Sequence, residues 1–323
     1  MDTVLCTGAS GFIGKTLLDT LILKNYKVRA VLRQNKRLNL SPEHIYLIDN
    51  IDQKNDWSKA LHNVKTVVHL AARVHIMNDI ATDPLSVFRK INVEGTLNLA
   101  NQAAKFGVQR FIFLSSVKVN GEFTHPLKPF REDDTPNPQD PYAISKYEAE
   151  QGLLEIAQKT GMEIVIIRPP LIYGPGVKAN FLKMMECLYR GIPLPFGAIN
   201  NQRSLLALDN LVNLIILCID HVAAANEIFL AADGKDISTS ELLLKLAHFL
   251  GRPARLISVP QNLLESTLTI LRKKRLATKL CCSLQVDISK AKSILNWTPP
   301  ISLDEGLEKT ATWFLQTQAR VNK

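Results

Sequence analysis

The stretch Val4-Leu5-Cys6-Thr7-Gly8-Ala9-Ser10-Gly11-Phe12-Ile13-Gly14 joins a short apolar run, three glycines and an apolar-periodic segment through Leu17, Leu18 and Leu21. That order predicts a strand entering a helix through a tight turn. A turn without β-carbons lets a pyrophosphate approach the backbone, where the unpaired N–H groups and positive end of the helix hold it. Gly8, Gly11 and Gly14, with Ser10, Phe12 and Ile13 beside them, are the expected contacts of a dinucleotide. An ordinary strand-to-helix turn can show the same glycines, so the rest of the chain has to decide.

Short apolar segments at 28–32, 45–48, 66–70, 111–115 and 164–167 alternate with longer periodic ones. This predicts an α/β chain, a doubly wound parallel sheet with right-handed crossovers and helices on both faces. The ligand of such a sheet belongs at the carboxyl ends of its strands. Arg33 ends the second segment, about 25 positions after Gly8, where a dinucleotide fold reads the ribose. An acid there would favour NAD. Arg33, followed by Lys36 and Arg37, offers cations to the 2′-phosphate of NADP, with a basic surface loop as the alternative. Asn50 and Ile51 end the third segment, near an expected adenine, and Leu70, Ala71 and Ala72 end the fourth, where small residues admit a cofactor.

The fifth segment leads into Ser115-Ser116-Val117-Lys118-Val119-Asn120-Gly121, and a polar, proline-rich stretch then runs to Asp140-Pro141. Asp140 suits a helix N-cap and Pro141 the first helical position. The helix so opened carries Tyr142 and Lys146 on one face, four residues apart. There the ammonium can favour a phenolate and hold a ribose while Tyr142 exchanges a proton. Ser116 can hydrogen-bond the same oxygen. An exposed Tyr-x-x-x-Lys pair would read identically; its place after the fifth strand distinguishes this one.

At 323 residues the chain suits one large or two intimate domains. Its formal charge of +9, from 39 basic and 30 acidic residues, favours anionic ligands. Without aromatic interleaving or a nucleic-acid module, nucleotide cofactors are preferred to nucleic acid. Arg272-Lys273-Lys274-Arg275 follows apolar residues and reads as a solvated helix end or a membrane-surface segment. The apolar run 211–219 is far shorter than the roughly 20 residues of a spanning helix. The N-terminus lacks the pattern of a signal peptide, so a cytoplasmic protein is expected. The five cysteines show no C-x-x-C spacing, and no carboxylate or cysteine stands at ligand distance from His69 or His75, so no metal site is expected.

With residues 7–14, Ser116 and Tyr142-Ala143-Ile144-Ser145-Lys146 in order, the chain resembles the extended short-chain dehydrogenase/reductases, and best their sugar-nucleotide epimerase/dehydratase branch. Arg168-Pro169-Pro170 through Gly176, Asn180-Phe181, residues 193–197, Arg203 before Asp209-Asn210-Leu211, and Leu295-Asn296-Trp297-Thr298-Pro299 extend the likeness nearly end to end. The resemblance implies a Rossmann-type sheet of seven strands with a smaller α/β substrate domain. The dinucleotide domain would comprise 1–169 plus about 204–231, and the substrate domain 170–203 plus about 232–323. It further implies NAD or NADP as cofactor, Asn92 and Pro169 among the cofactor contacts, and a UDP-sugar held by Arg73, Lys118, Asn120, Asn180 and Arg203. A homodimer through the helix over 84–105 and the one after Pro141 is implied as well. Dehydratases of the branch place an Asp-Glu pair where Val117 and Lys118 stand, which argues against dehydration. The phrases around His69, Ser116 and Gly174 look most like reductases of UDP-4-keto-6-deoxy-N-acetylhexosamine, makers of UDP-N-acetylquinovosamine for surface polysaccharide. A UDP-glucose or UDP-N-acetylglucosamine 4-epimerase is the alternative, and a non-catalytic dinucleotide-binding regulator a remote one.

Overall fold

The computed structural model describes residues 3–33, 41–74, 83–125, 128–270 and 274–321. Its strands are β1 (Thr3–Thr7), β2 (Lys27–Leu32), β3 (Ile45–Leu47), β4 (Val64–His69), β5 (Arg110–Leu114), β6 (Glu163–Arg168), β7 (Leu171–Tyr173), β8 (Leu205–Ala207) and β9 (Ile228–Leu230). Among the described residues seven of them pair in parallel in the order β3-β2-β1-β4-β5-β6-β9, while β7 and β8 form a small parallel sheet. The sheet is the seven-stranded one that the resemblance implies. Chain direction across the sheet reverses between β1 and β4, the switch point at which such sheets leave a crevice.

The central strands are apolar on both faces because both faces are covered. Val4 and Cys6 of β1, Ile112 and Leu114 of β5, and Val165 and Ile167 of β6 turn to one core; Leu5, Phe111, Phe113, Ile164 and Ile166 turn to the other. This is the two-residue period of a pleated strand, used twice. The first core receives Leu17, Leu18 and Leu21 of α1 (Phe12–Leu23). The second receives Trp57 and, from α2 (Ser58–Leu61), Ala60 and Leu61. Each such buried side chain contributes about 1.5–3 kcal/mol.

The helix expected over 84–105 is three pieces: α3 (Pro84–Arg89), a π-helical turn over Lys90–Glu94, and α4 (Gly95–Lys105). The wide turn carries Asn92, which is 1% exposed. Its Oδ1 accepts from Arg73 N at 2.8 Å, and its Nδ2 donates to Arg73 O and Ser145 Oγ, each at 3.0 Å. Next comes α5 (Pro141–Thr160), capped by Asp140 Oδ1, which accepts from Ala143 N at 2.8 Å.

The remaining helices are α6 (Ala179–Tyr189), α7 (Leu208–Asp220), α8 (Thr239–Phe249), α9 (Gln261–Ile270), α10 (Lys274–Cys281), α11 (Ser289–Leu295) and α12 (Leu303–Val321). Helix α7 packs beside α1 on the main sheet. Helices α6, α8 and α12 build a third core with β7 and β8 around Tyr173, Phe181, Met185, Leu246, Leu307 and Phe314. The Tyr173 ring stacks on Phe181 at 5.6 Å, and its hydroxyl donates to Asp233 Oδ2 at 2.7 Å and to Leu303 O at 3.1 Å. None of the described helices is long and apolar enough to cross a membrane.

Candidate active site

The glycine turn lies at the carboxyl end of β1. Gly8 has φ +69°, and a β-carbon there would meet Ala71 N at 2.8 Å; one on Gly14 would stand 2.2 Å from Gly8 O. The first excludes a side chain where β1 passes the end of β4, and the second where α1 returns over the turn. Gly11, the N-cap of α1, has no side chain to occupy the first N–H groups of the helix, and no acid stands in its first turn. Those groups are therefore left for an anion, as a pyrophosphate requires. Leu70, Ala71 and Ala72 follow β4 directly beside this turn, and Ala71 N donates to Thr7 Oγ1 at 3.3 Å. His69 beneath them bonds Thr7 Oγ1 at 2.7 Å and Thr96 Oγ1 at 3.0 Å, and burial lowers its pKa to about 3. It is a neutral strut.

Other expected cofactor contacts are placed differently from one another. Arg33 is exposed at the end of β2, and Lys36 and Arg37 lie outside the described residues. Asn50 is exposed, while Ile51 is buried and packs against Gly95 of α4. Asn92 is a brace: both ends of its amide are bonded to Arg73 and Ser145. Pro169 is buried, and its carbonyl accepts from Val117 N at 3.0 Å, fixing the turn after Ser116.

Ser116 and Tyr142 line one cleft of about 550 Å³, and Lys146, one turn along α5 from Tyr142, is enclosed. Lys146 is 2% exposed; its Nζ donates to Leu114 O at 2.8 Å and stands 4.2 Å from the Phe113 ring centre. Burial lowers its pKa to about 7, with Glu150 one turn along the helix opposing the fall. Burial raises the Tyr142 phenol, and the Asp140 charge adds to that rise. One helix thus carries, a turn apart, an ammonium that titrates near neutrality and a phenol that resists ionisation. The buried Ser115 hydroxyl beside them has no hydrogen-bond partner among the described residues.

Of the expected substrate residues, Lys118, Asn180 and Arg203 line the cleft and two do not. Lys118 pairs with Asp140, and Arg203 Nη1 donates to Cys282 O at 2.9 Å. Arg73 sits outside, its guanidinium 5.5 Å over the Phe88 ring, which in turn meets the Tyr142 ring edge-on at 6.2 Å. Asn120 lies off the cleft lining: it is 2% exposed, donates to Arg131 O at 2.8 Å and accepts from Arg168 Nη1 at 3.1 Å. Arg168 is paired with Glu150 at 2.6 Å, both fully enclosed. This pair was not anticipated, although a cation closing an otherwise apolar strand must find a buried acid. Lys183 of α6 is a further cation in the cleft, and among the described residues no cluster could hold a metal.

The geometry has counterparts. The model of the NAD dependent epimerase/dehydratase family matches residues 4–232. The UDP-glucose 4-epimerase of Vibrio cholerae is 44% identical over 98% of this chain and 97% of its own. An N-acetyl-α-D-glucosaminyl-diphospho-ditrans,octacis-undecaprenol 4-epimerase of Escherichia coli O157:H7 is 30% identical over 96% of this chain and 94% of its own. The crystal structure of the Thermotoga maritima UDP-glucose 4-epimerase with UDP-glucose superposes with a TM-score of 0.78 at 27% identity, covering 98% of this chain and 99% of that one. With the glycine turn, the serine, the tyrosine and the lysine set as described, the chain belongs to the NAD dependent epimerase/dehydratase family.

Proposed function

We propose that the protein is a nicotinamide-dependent UDP-sugar 4-epimerase acting on UDP-glucose or UDP-N-acetylglucosamine. The observation that carries this reading is the 44% identity, nearly end to end, with a UDP-glucose 4-epimerase, over a cleft lined by both Ser116 and Tyr142. It supplants the 4-keto reductase favoured on sequence. That expectation rests on the phrases around His69, Ser116 and Gly174 and on Arg33 as an NADP contact; within the phrase after Ser116, Asn120 is bonded to Arg168 and Lys118 to Asp140.

The glycine turn and the α1 N-terminus would hold NAD, which would supply a hydride acceptor beside sugar C4. Tyr142 takes the C4 hydroxyl proton in the first half and gives it back in the second, so protons balance over the cycle. Ser116 holds the same oxygen, and Lys146, one turn along α5, makes loss of the phenol proton easier. The α1 N-terminus takes the dinucleotide pyrophosphate, while Arg203 and Lys183 face the diphosphate of the UDP-sugar and Asn180 its sugar end. Nucleotide-stripped protein reloaded with NAD should interconvert UDP-glucose or UDP-N-acetylglucosamine and the galacto epimer without net coenzyme consumption. Stoichiometric oxidation of NADPH by UDP-4-keto-6-deoxy-N-acetylglucosamine, with no epimer formed, would overturn this reading in favour of the reductase.

A further inference from the structure

Lys118 stands on a single 3₁₀ turn, Val117–Val119, whose start is held by Lys118 N donating to Ser116 Oγ at 3.3 Å. From there its ammonium donates to Asp140 Oδ2. Asp140 Oδ1 meanwhile caps α5 through Ala143 N, and Tyr142 is the second residue along. One ion pair thus ties the turn carrying Ser116 to the helix end carrying Tyr142. The Asp140 side chain is 7% exposed and that of Lys118 27%, so solvent screens the carboxylate poorly and the lysine is a charge partner to it inside the cleft.

We propose that Lys118 is a positioning residue for the reaction: it locks the Ser116 turn to the first turn of α5 and offsets part of the Asp140 charge beside Tyr142. The argument rests on Tyr142 being the proton-transfer group of the proposed function. Burial and the Asp140 charge both push the phenol up, so the offset acts on the second of these causes. The other charges about the phenol come from four elements. Lys146 stands one turn along α5 from Tyr142, and Glu122 after the 3₁₀ turn, Lys183 of α6 and Arg203 line the same cleft as Tyr142. Asp140 is essential to the helix end, yet an unbalanced carboxylate there would keep Tyr142 protonated.

The test uses Lys118→Met, Lys118→Arg, Asp140→Asn and the double variant Lys118→Met/Asp140→Asn. Asn keeps the cap on Ala143 N while removing the charge. Two readouts are taken: the pH dependence of kcat, and ultraviolet titration of tyrosinate in nucleotide-free protein, with Tyr142→Phe identifying the group that titrates. Lys118→Met should move both upward by about one pH unit and lower kcat near neutrality about 10-fold with little change in KM. Lys118→Arg should stay near the parent, and the double variant should return toward it. Asp140→Asn alone, which leaves the lysine charge unopposed, should move the titration downward; it tests the idea even if Lys118→Met folds poorly. An unmoved titration, a shift that persists in the double variant, or an effect confined to KM would each overturn the proposal. Because the titration needs no substrate, it fails separately from the epimerase reading.

Discussion

Replacing Glu150 by Leu should destabilise the protein strongly, and replacing its partner as well should largely reverse the loss. Glu150 is 0% exposed and Arg168 2%, and their two hydrogen bonds run at 2.6 and 3.0 Å. Glu150→Leu leaves an enclosed guanidinium whose one remaining described contact is Asn120 Oδ1 at 3.1 Å. Such an uncompensated buried charge costs about 3–5 kcal/mol, which for a chain of this size lowers Tm by roughly 4–7 °C. Glu150→Leu/Arg168→Met removes both charges and leaves Asn120 short of one donor, a cost of about 1 kcal/mol. The double variant should therefore lie within roughly 2 °C of the parent. Thermal unfolding of the four proteins, followed by far-ultraviolet circular dichroism at one scan rate and matched nucleotide content, gives the comparison. If Glu150→Leu shifted Tm by less than the double variant does, the pair would not be the enclosed, mutually dependent unit described, and the reasoning would fail.

Tyr142→Phe should reduce turnover about 10²–10⁴-fold while leaving dinucleotide affinity near the parent value, measured by turnover and by fluorescence titration with the dinucleotide. Gly14→Ala puts a β-carbon 2.2 Å from Gly8 O, so dinucleotide binding should fall at least about 10-fold, read in the same titration. Lys146 carries a pH dependence of stability. The unfolded chain keeps its proton up to the ordinary 10.5, whereas the folded chain releases it near 7. Between those values the unfolded state binds more protons, so this group makes stability rise with pH; Lys146→Met should flatten that part of the urea-midpoint profile of nucleotide-free protein. Asn92→Ala deletes three hydrogen bonds of a 1% exposed side chain and should cost roughly 2–4 kcal/mol by urea unfolding.

The parts of this molecule that were legible in the sequence are those that local chemistry dictates. Apolar runs flanked by periodic segments mark β1, β2, β4, β5 and β6 because their side chains are enclosed on both faces. Asp140 and Pro141 open α5 by capping chemistry that needs no distant partner. The parts that were not legible depend on partners far along the chain. Asn92 looks like any polar residue in a long helix until Arg73 and Ser145 meet its amide, and the ladder widens into a π turn to let it reach them. Asn120 reads as a pocket candidate because it follows Ser116 closely, while its bond to Arg168, 48 positions on, has no local signal. The strand β8 and its pairing with β7 had no signal, since three residues of Leu and Ala fit a helix as readily.

The contact between Tyr173 and the carbonyl of Leu303 also bears on how the chain comes off the ribosome. All seven strands of the main sheet have been made once Leu230 has emerged, so that sheet can assemble while synthesis continues. The third core cannot: Gly306 lies where a β-carbon would stand 2.6 Å from the Tyr173 hydroxyl, and Leu307, Ala311 and Phe314 fill that core. These residues follow every strand of the main sheet. A nascent chain halted before Leu303 is therefore expected to protect β1 to β6 from protease while α6 and α8 are cut, an order of maturation in which the glycine turn is set before the core around Tyr173 closes.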